Sequence, residues 1–189
     1  MRLHQFLNEA TMQLKQDRFE HLLTPAVRAL DQAVKDAGFE IRIVGGAVRD
    51  LVLGSDPKDI DMSSDATPEE MMAVLDAVGI RHAPTGLEHG TITAILDGEP
   101  IEITTLRVDT NTDGRHAEVQ FTNDWRKDAE RRDLTFNAMS MDLDGTLHDY
   151  FDGVNDLQNG VARFVGNADA RMQEDFLRIM RYFRFQGRL

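Results

Sequence analysis

The residues best suited to chemistry in this chain are two aspartates, Asp59 and Asp61, separated by Ile60. On a strand, positions i and i+2 leave one face about 6.6–7 Å apart, and the residue between them turns into the core. Paired carboxylates at that spacing can share Mg²⁺ ions that also bind a triphosphate. A lone Asp-x-Asp more often marks a solvated turn, so its setting decides its meaning. Gly45 and Gly46 open the string GGAVRD, and Gly46 precedes Asp59 by thirteen residues. Glycines there let the backbone turn sharply and approach a ligand, with a helix N-terminus aimed at an anion. Arg49 lies one turn in and can add a charge-assisted bond to phosphate. The same string also reads as a plain strand-to-helix turn with a solvated arginine.

A third carboxylate is expected on a neighbouring strand. Glu102, in PIEITTLR, is the candidate, because a charge within an apolar alternation needs a reason. The alternative is an edge-strand glutamate facing water, and Asp97 and Glu99 sit too near a turn to compete. In ERRDLTFNAMSMD, Arg131 and Arg132 offer forked donors for phosphate or ribose. Asp133 could accept from a 2′-hydroxyl, which would select ribonucleotides, and Asn137 belongs to the same string. Further on, Asp175, Arg178 and Arg181 follow i, i+3, i+6 along one expected helix face, and Arg184 continues the row. An acceptor beside a donor fork matches the edges of cytosine and adenine and mismatches uracil and guanine. A matched bidentate contact is worth about 1–3 kcal/mol of discrimination. Acid–base pairs at this spacing are also common helix decoration.

The elements that must hold these groups can be read from periodicity and punctuation. Residues 17–37 show helical spacing ending at Gly38. FEIRIV alternates as a strand, GGAVRDLVLG continues into a helix, and KDIDM reads as a second strand. TPEEMMAVLDAVG is a helix with Thr67 as N-cap, Pro68 at its first position and Gly79 past its end. GTITAILDGEPIEITTLR is two strands about Asp97-Gly98. VDTNTDGRHAEVQ is polar and reads as a mobile loop. The stretch from Trp125 begins as a helix and ends as a strand. DGTLHDYFDG reads as a hairpin, and residues 168–187 as one long amphipathic helix. The expected fold class is α+β, a mixed sheet flanked by helices and followed by a helical segment.

The bulk numbers set outer bounds. At 189 residues, with 41% hydrophobic and 29% charged content, the chain fits one or two ordinary globular domains. The absence of cysteine excludes disulfides and thiolate metal sites and fits a reducing compartment. No stretch suits a membrane span, and the N-terminus has no apolar signal-peptide core, so a cytoplasmic location is expected. The net charge of −12 runs against nucleic-acid binding. Arginines nevertheless cluster after residue 125, at Arg126, Arg131, Arg132, Arg171, Arg178, Arg181, Arg184 and Arg188.

Taken in order, GGAVRD, DID, RRDLTFNA and EDFLRIMRYFRF resemble the class II tRNA nucleotidyltransferases and bacterial poly(A) polymerases of the polymerase β superfamily. The segment from EITTLRVDTNTDGRHAEVQ to DYFDGVNDL is especially similar to the mitochondrial-type CCA-adding enzymes. The resemblance implies a polymerase β-like head over residues 23–150. A helical extension would lie before it (1–22), and the start of a helical neck after it (151–189). It implies Gly45, Gly46 and Arg49 at the triphosphate, and Asp59 and Asp61 as Mg²⁺ ligands with Glu102 as third carboxylate. Arg132, Asp133 and Asn137 fall at the ribose and phosphate, and Asp175, Arg178, Arg181 and Arg184 at the base. Residues 107–118 match a flexible loop, and Asp149 and Gly153 a hinge. The implied partners are CTP, ATP and the 3′ end of tRNA, and the implied location is cytoplasmic or mitochondrial. Family members continue into neck, body and tail domains, whereas this sequence stops at Leu189. A poly(A) polymerase, a CC-adding enzyme and a non-catalytic nucleotide- or RNA-binding module remain as alternatives.

Overall fold

The structure is a computed structural model that describes residues 10–110 and 118–187. Alternating apolar residues lay out its main sheet. The strands are β1 (Ala10–Gln13), β2 (Ile41–Val44), β3 (Asp61–Ser64), β4 (His82–Gly86), β5 (Thr91–Leu96), β6 (Glu99–Thr105), β7 (Arg107–Thr110), β8 (Glu118–Phe121), β9 (Ser140–Met141) and β10 (Thr146–Asp149). Eight of them form one sheet in the order β1-β10-β9-β2-β3-β6-β5-β4, while β7 and β8 pair as a separate ribbon. All pairings are antiparallel except β3 with β6.

Ile41, Ile43, Met62, Ile92 and Ile103 are buried on one face of this sheet. They form one core with Val27, Leu30 and Val34 of α1 (Pro25–Asp36) and Met71, Val74 and Leu75 of α3 (Pro68–Ala77). Each of these helices begins at a Thr-Pro pair. Thr24 accepts from the Val27 amide, and Thr67 forms a capping box with Glu70. By register, the opposite face carries Arg42, Asp61, Ser63, Glu102, Thr104, Thr93, Ser140 and His148. The remaining helices are α2 (Gly46–Leu53), α4 (Trp125–Glu130), α5 (Gly153–Gln158), α6 (Ala168–Glu174) and α7 (Leu177–Gln186).

The expected mixed α+β fold is present, with local corrections. Residues 17–37 are not one helix. Short 3₁₀ turns at Gln16–Arg18 and Glu20–Leu22 precede α1, because the Thr24 cap and Pro25 start the helix afresh. The strand expected from Lys58 begins only at Asp61, so Asp59 lies in the bend before it. The expected loop after Leu106 is framed by the β7–β8 ribbon, and residues 111–117 lie outside the described residues. The long helix over 168–187 is two helices, broken where Asp175 is extended at φ −156° and ψ 110°.

The described part of the N-terminal extension is strand and 3₁₀ turn rather than helix, and Phe19 is buried in the core. Past residue 150 the chain stays packed on the sheet layer. Leu157, Ala162 and Phe164 join the main core, and Phe164 bridges to Leu134. A Cβ on Gly153 would lie 2.6 Å from the Thr135 carbonyl oxygen, so α5 sits on the Thr135–Asn137 turn with no room for a side chain. Among the described residues no helix is long and apolar enough to cross a membrane.

Candidate functional site

The open face of the sheet brings the candidate carboxylates together. Asp61 begins β3 and pairs in register with Glu102 of β6, so both leave the same face of adjacent strands. Glu102 is exposed between buried Ile101 and Ile103, the alternation its sequence suggested. Asp59 precedes the strand, and Ile60 between the two aspartates packs against the core. Burial and the neighbouring Asp59 carboxylate push the Asp61 carboxyl above its ordinary range, and Arg132 partly offsets them. Among the described residues no three of His, Cys, Asp or Glu form a ready metal cluster. Mg²⁺ sites of the one- or two-carboxylate kind, completed by substrate phosphates, need none.

Beside the carboxylates lies the glycine turn. Gly45 adopts φ 66° and ψ −124°, a conformation open to glycine, and its N–H donates to the Met139 carbonyl. A Cβ there would stand 3.2 Å from Arg132 Nη1. The turn therefore lets the Arg132 guanidinium lie against the start of α2. No side chain caps α2, so its first-turn N–H groups point outward as an anion site requires. Arg49, one turn in, donates from Nη1 to Asn137 Oδ1 at 2.9 Å and from Nε and Nη2 to Asp50 Oδ1.

Arg132 is held from below by Asp128, which sequence reading did not single out. Asp128 is 3% exposed and accepts from Arg131 Nε at 2.9 Å, Arg132 Nη2 at 3.0 Å and the Arg107 backbone N–H at 3.1 Å. Burial alone would raise its carboxyl. The two guanidiniums and the Arg107 amide outweigh burial and hold it below the usual carboxylate range. The signal was present in WRKDAERR, where Asp128 stands three and four residues before the arginines.

Asp133 is buried and fully engaged. Its Oδ1 accepts from Asn137 Nδ2 at 3.1 Å and its Oδ2 from Arg181 Nε at 2.6 Å. Burial raises this carboxyl, but Arg181, Asn137 and the Leu134 amide lower it further. A ribose hydroxyl at Asp133 would have to share an oxygen with one of these donors.

The third face of the site is α7. Phe185 packs edge-on against Phe136 at 5.5 Å, and Arg49 lies 4.9 Å from the Phe185 ring centre. Tyr182 stacks on Phe164, and Gln186 bonds the backbone of Gly160 and Ala162. Asp175 does not share the helix face expected for it. It precedes α7, where its Oδ1 accepts the Leu177 amide at 2.9 Å and its carbonyl accepts the Arg178 amide at 3.0 Å. Arg178 Nη2 donates to the Arg131 carbonyl at 3.1 Å, which ties α7 to the end of α4. Arg184 lies 5.1 Å from the Phe185 ring centre. Phe176, Leu177, Met180 and Phe183 form an exposed apolar row away from the docked face. At the expected hinge, Asp149 accepts the amides of Phe151, Gly153 and Val154, and so caps the start of α5.

Comparison with known proteins gives the family. Residues 41–163 match the family described as "Poly A polymerase head domain". CCA tRNA nucleotidyltransferase 1, mitochondrial, of Danio rerio is 57% identical over 180 residues, taking in 95% of this chain and 42% of that protein. The CCA-adding enzyme of Staphylococcus aureus is 42% identical over 164 residues, or 86% of this chain and 40% of the relative. Among solved structures, the Bacillus stearothermophilus CCA-adding enzyme in complex with CTP aligns with a TM-score of 0.77 at 35% identity, over 90% of this chain and 39% of that one. A tRNA nucleotidyltransferase complexed with a primer tRNA and an incoming ATP analog aligns with a TM-score of 0.69 at 32% identity, covering 84% and 44%. The chain thus spans about two-fifths of the length of the curated relatives it matches. The family match runs from β2 through the turn, the carboxylates and the Arg132–Asn137 string, and the chain belongs to the poly A polymerase head-domain family of nucleotidyltransferases.

Proposed function

We propose that this chain is the catalytic head of an enzyme that adds CCA to tRNA 3′ ends from CTP and ATP. The observation that carries the reading is the in-register pairing of Asp61 with Glu102, beside the Gly45 turn and Arg132. Oxygen-only donors and a carboxyl raised by burial and by its acidic neighbour suit a hard divalent cation. Asp59 and Asp61 would hold Mg²⁺, which when bound supplies Lewis-acid polarisation of the α-phosphate and activation of the attacking hydroxyl.

The chain's own groups do the positioning. The α2 N-terminus and Arg49 take the triphosphate, and Arg132 lies across the turn to meet the phosphates or ribose. The base edge is read at the start of α7, where Asp175 supplies the acceptor and Arg178 the donors, with Arg181 and Arg184 behind them. The RNA 3′-hydroxyl then attacks the α-phosphorus and pyrophosphate leaves, so one phosphoanhydride bond is exchanged for one phosphodiester. The curated mitochondrial relatives extend the same proposal to a mitochondrial location. The name of the matched family keeps poly(A) addition as a second reading.

Extension of a tRNA lacking its CCA end decides between them, read at single-nucleotide resolution with CTP, ATP or both. Two C additions followed by one A are expected. An A tail from ATP alone would establish the poly(A) reading, and nucleotide binding with no pyrophosphate release would leave a binding module. Asp61→Ala should lower addition by at least about a thousandfold, on the scale of removing a group that stabilises transition-state charge. Near-normal turnover by that variant would overturn the metal assignment.

A further inference from the structure

Five side chains form one continuous hydrogen-bonded row across the site. Asp50 Oδ1 accepts from Arg49, Arg49 Nη1 donates to Asn137 Oδ1, Asn137 Nδ2 donates to Asp133 Oδ1, and Arg181 Nε donates to Asp133 Oδ2. The two central members are 5% and 7% exposed, so water competes little for their bonds. An amide is the one neutral side chain that can face an arginine with its oxygen and a carboxylate with its nitrogen.

Arg49 shows what the row fixes. Nε, one Nη1 hydrogen and one Nη2 hydrogen are committed to Asp50 and Asn137, which leaves one hydrogen on each terminal nitrogen. Those nitrogens lie 3.5 and 3.8 Å from the position a Cβ on Gly46 would take, so the remaining donors sit at the glycine turn. At the other end, Arg181 belongs to α7, the helix that faces the base. The apolar contacts of Phe185 and Tyr182 already hold α7 in place. The polar row adds orientation, since it sets the angle of the Arg49 fork relative to α7.

We propose that Asn137 and Asp133 are positioning residues that register the triphosphate-binding Arg49 against the base-reading helix α7. Triphosphate grip and base choice are thereby set by one bonded row. The inference rests on the nucleotide-site reading above and deepens it.

Exchange of the two residues tests it. Asn137→Asp alone sets two carboxylates against each other, and Asp133→Asn alone takes the charge from Arg181. In the double exchange, the carboxylate introduced at position 137 accepts from Arg49. The amide introduced at position 133 donates to that carboxylate through its nitrogen and accepts from Arg181 through its oxygen. Equilibrium binding of CTP and UTP with Mg²⁺ to the whole chain is the readout, with thermal unfolding alongside. Each single change should weaken CTP binding about tenfold and narrow the CTP-to-UTP ratio. The double exchange should recover most of both. Additive losses in the double variant, or singles that bind and discriminate as the parent does, would overturn the proposal.

Should the buried variants fail to fold, Arg181→Gln decides, because that side chain is 48% exposed. Inorganic triphosphate has no base, yet its affinity should fall about threefold in Arg181→Gln if the row transmits register to Arg49. An unchanged affinity refutes the linkage. Binding needs no turnover, so the two readings separate. A parent chain that binds CTP selectively but never extends RNA bears on the CCA-adding proposal alone and leaves the row intact.

Discussion

At the scale of single residues, the site depends on carboxylates pushed in opposite directions. Asp61 is raised by burial and by Asp59. Asp128 and Asp133 are lowered because guanidiniums and amides outweigh their burial. The sign for stability follows. A carboxyl whose folded value lies below its unfolded value of about 4 contributes stability that is present above that value and is lost as pH falls through the folded one. Acid unfolding should therefore steepen below about pH 4, where Asp128 and Asp133 take up protons. Asp128→Asn should cost about 3–5 kcal/mol at pH 7, the loss expected when one partner of a buried ion pair is removed. It should also flatten the acid limb. Urea unfolding of both proteins between pH 3 and pH 7 checks this, and an unchanged slope with pH would show that Asp128 is not the linked group. Asp128 went unread in the sequence because its role depends on β7, whose Arg107 amide comes from twenty-one residues away. Glu102 was legible because a lone charge in an apolar alternation has few places to go.

At the scale of elements, punctuation was a better guide than periodicity. The Thr67-Pro68 start and the Asp97-Gly98 turn, with φ 53° and 90°, lie where their residue types put them. The equivalent signal at Thr24-Pro25 went unused, and helical spacing alone ran α1 back to residue 17. The break at Asp175 was invisible to spacing because both flanking segments are amphipathic and only a side-chain cap divides them. Gly45 is the element boundary with the sharpest consequence. Its φ of 66° with ψ of −124° is strained for any side chain, and a Cβ would press on Arg132. Gly45→Ala should cost about 1–3 kcal/mol. It should also weaken CTP binding, because Arg132 and the α2 N-terminus must part. Calorimetric binding beside a thermal melt tests both effects. A destabilised variant with unchanged CTP affinity would mean that the turn serves the fold and not the ligand.

At the scale of the whole molecule, charge decides what this chain can hold alone. Its net charge is −12, and many of its clustered arginines have carboxylate partners. Arg131 and Arg132 pair with Asp128, Arg181 with Asp133, and Arg126 with Glu130. A guanidinium already neutralised from one side contributes less to a phosphate backbone, and the net negative charge of the chain repels one. The chain should therefore grip a nucleoside triphosphate far better than a tRNA. Binding of tRNA at 150 mM salt should lie in the non-specific range of about 10⁻⁴–10⁻⁶ M. Its logarithm should fall with log salt at a slope of magnitude about 2–3, corresponding to only a few neutralised phosphates. Filter binding or anisotropy across 50–300 mM salt measures both quantities. A nanomolar affinity with a steep slope would place the RNA grip on the arginines of α4 and α7 themselves. A weak and shallow response, with CTP binding intact, would mean that the arginines of α4 and α7 serve the nucleotide and the fold, and that this chain alone holds the nucleotide far better than the RNA.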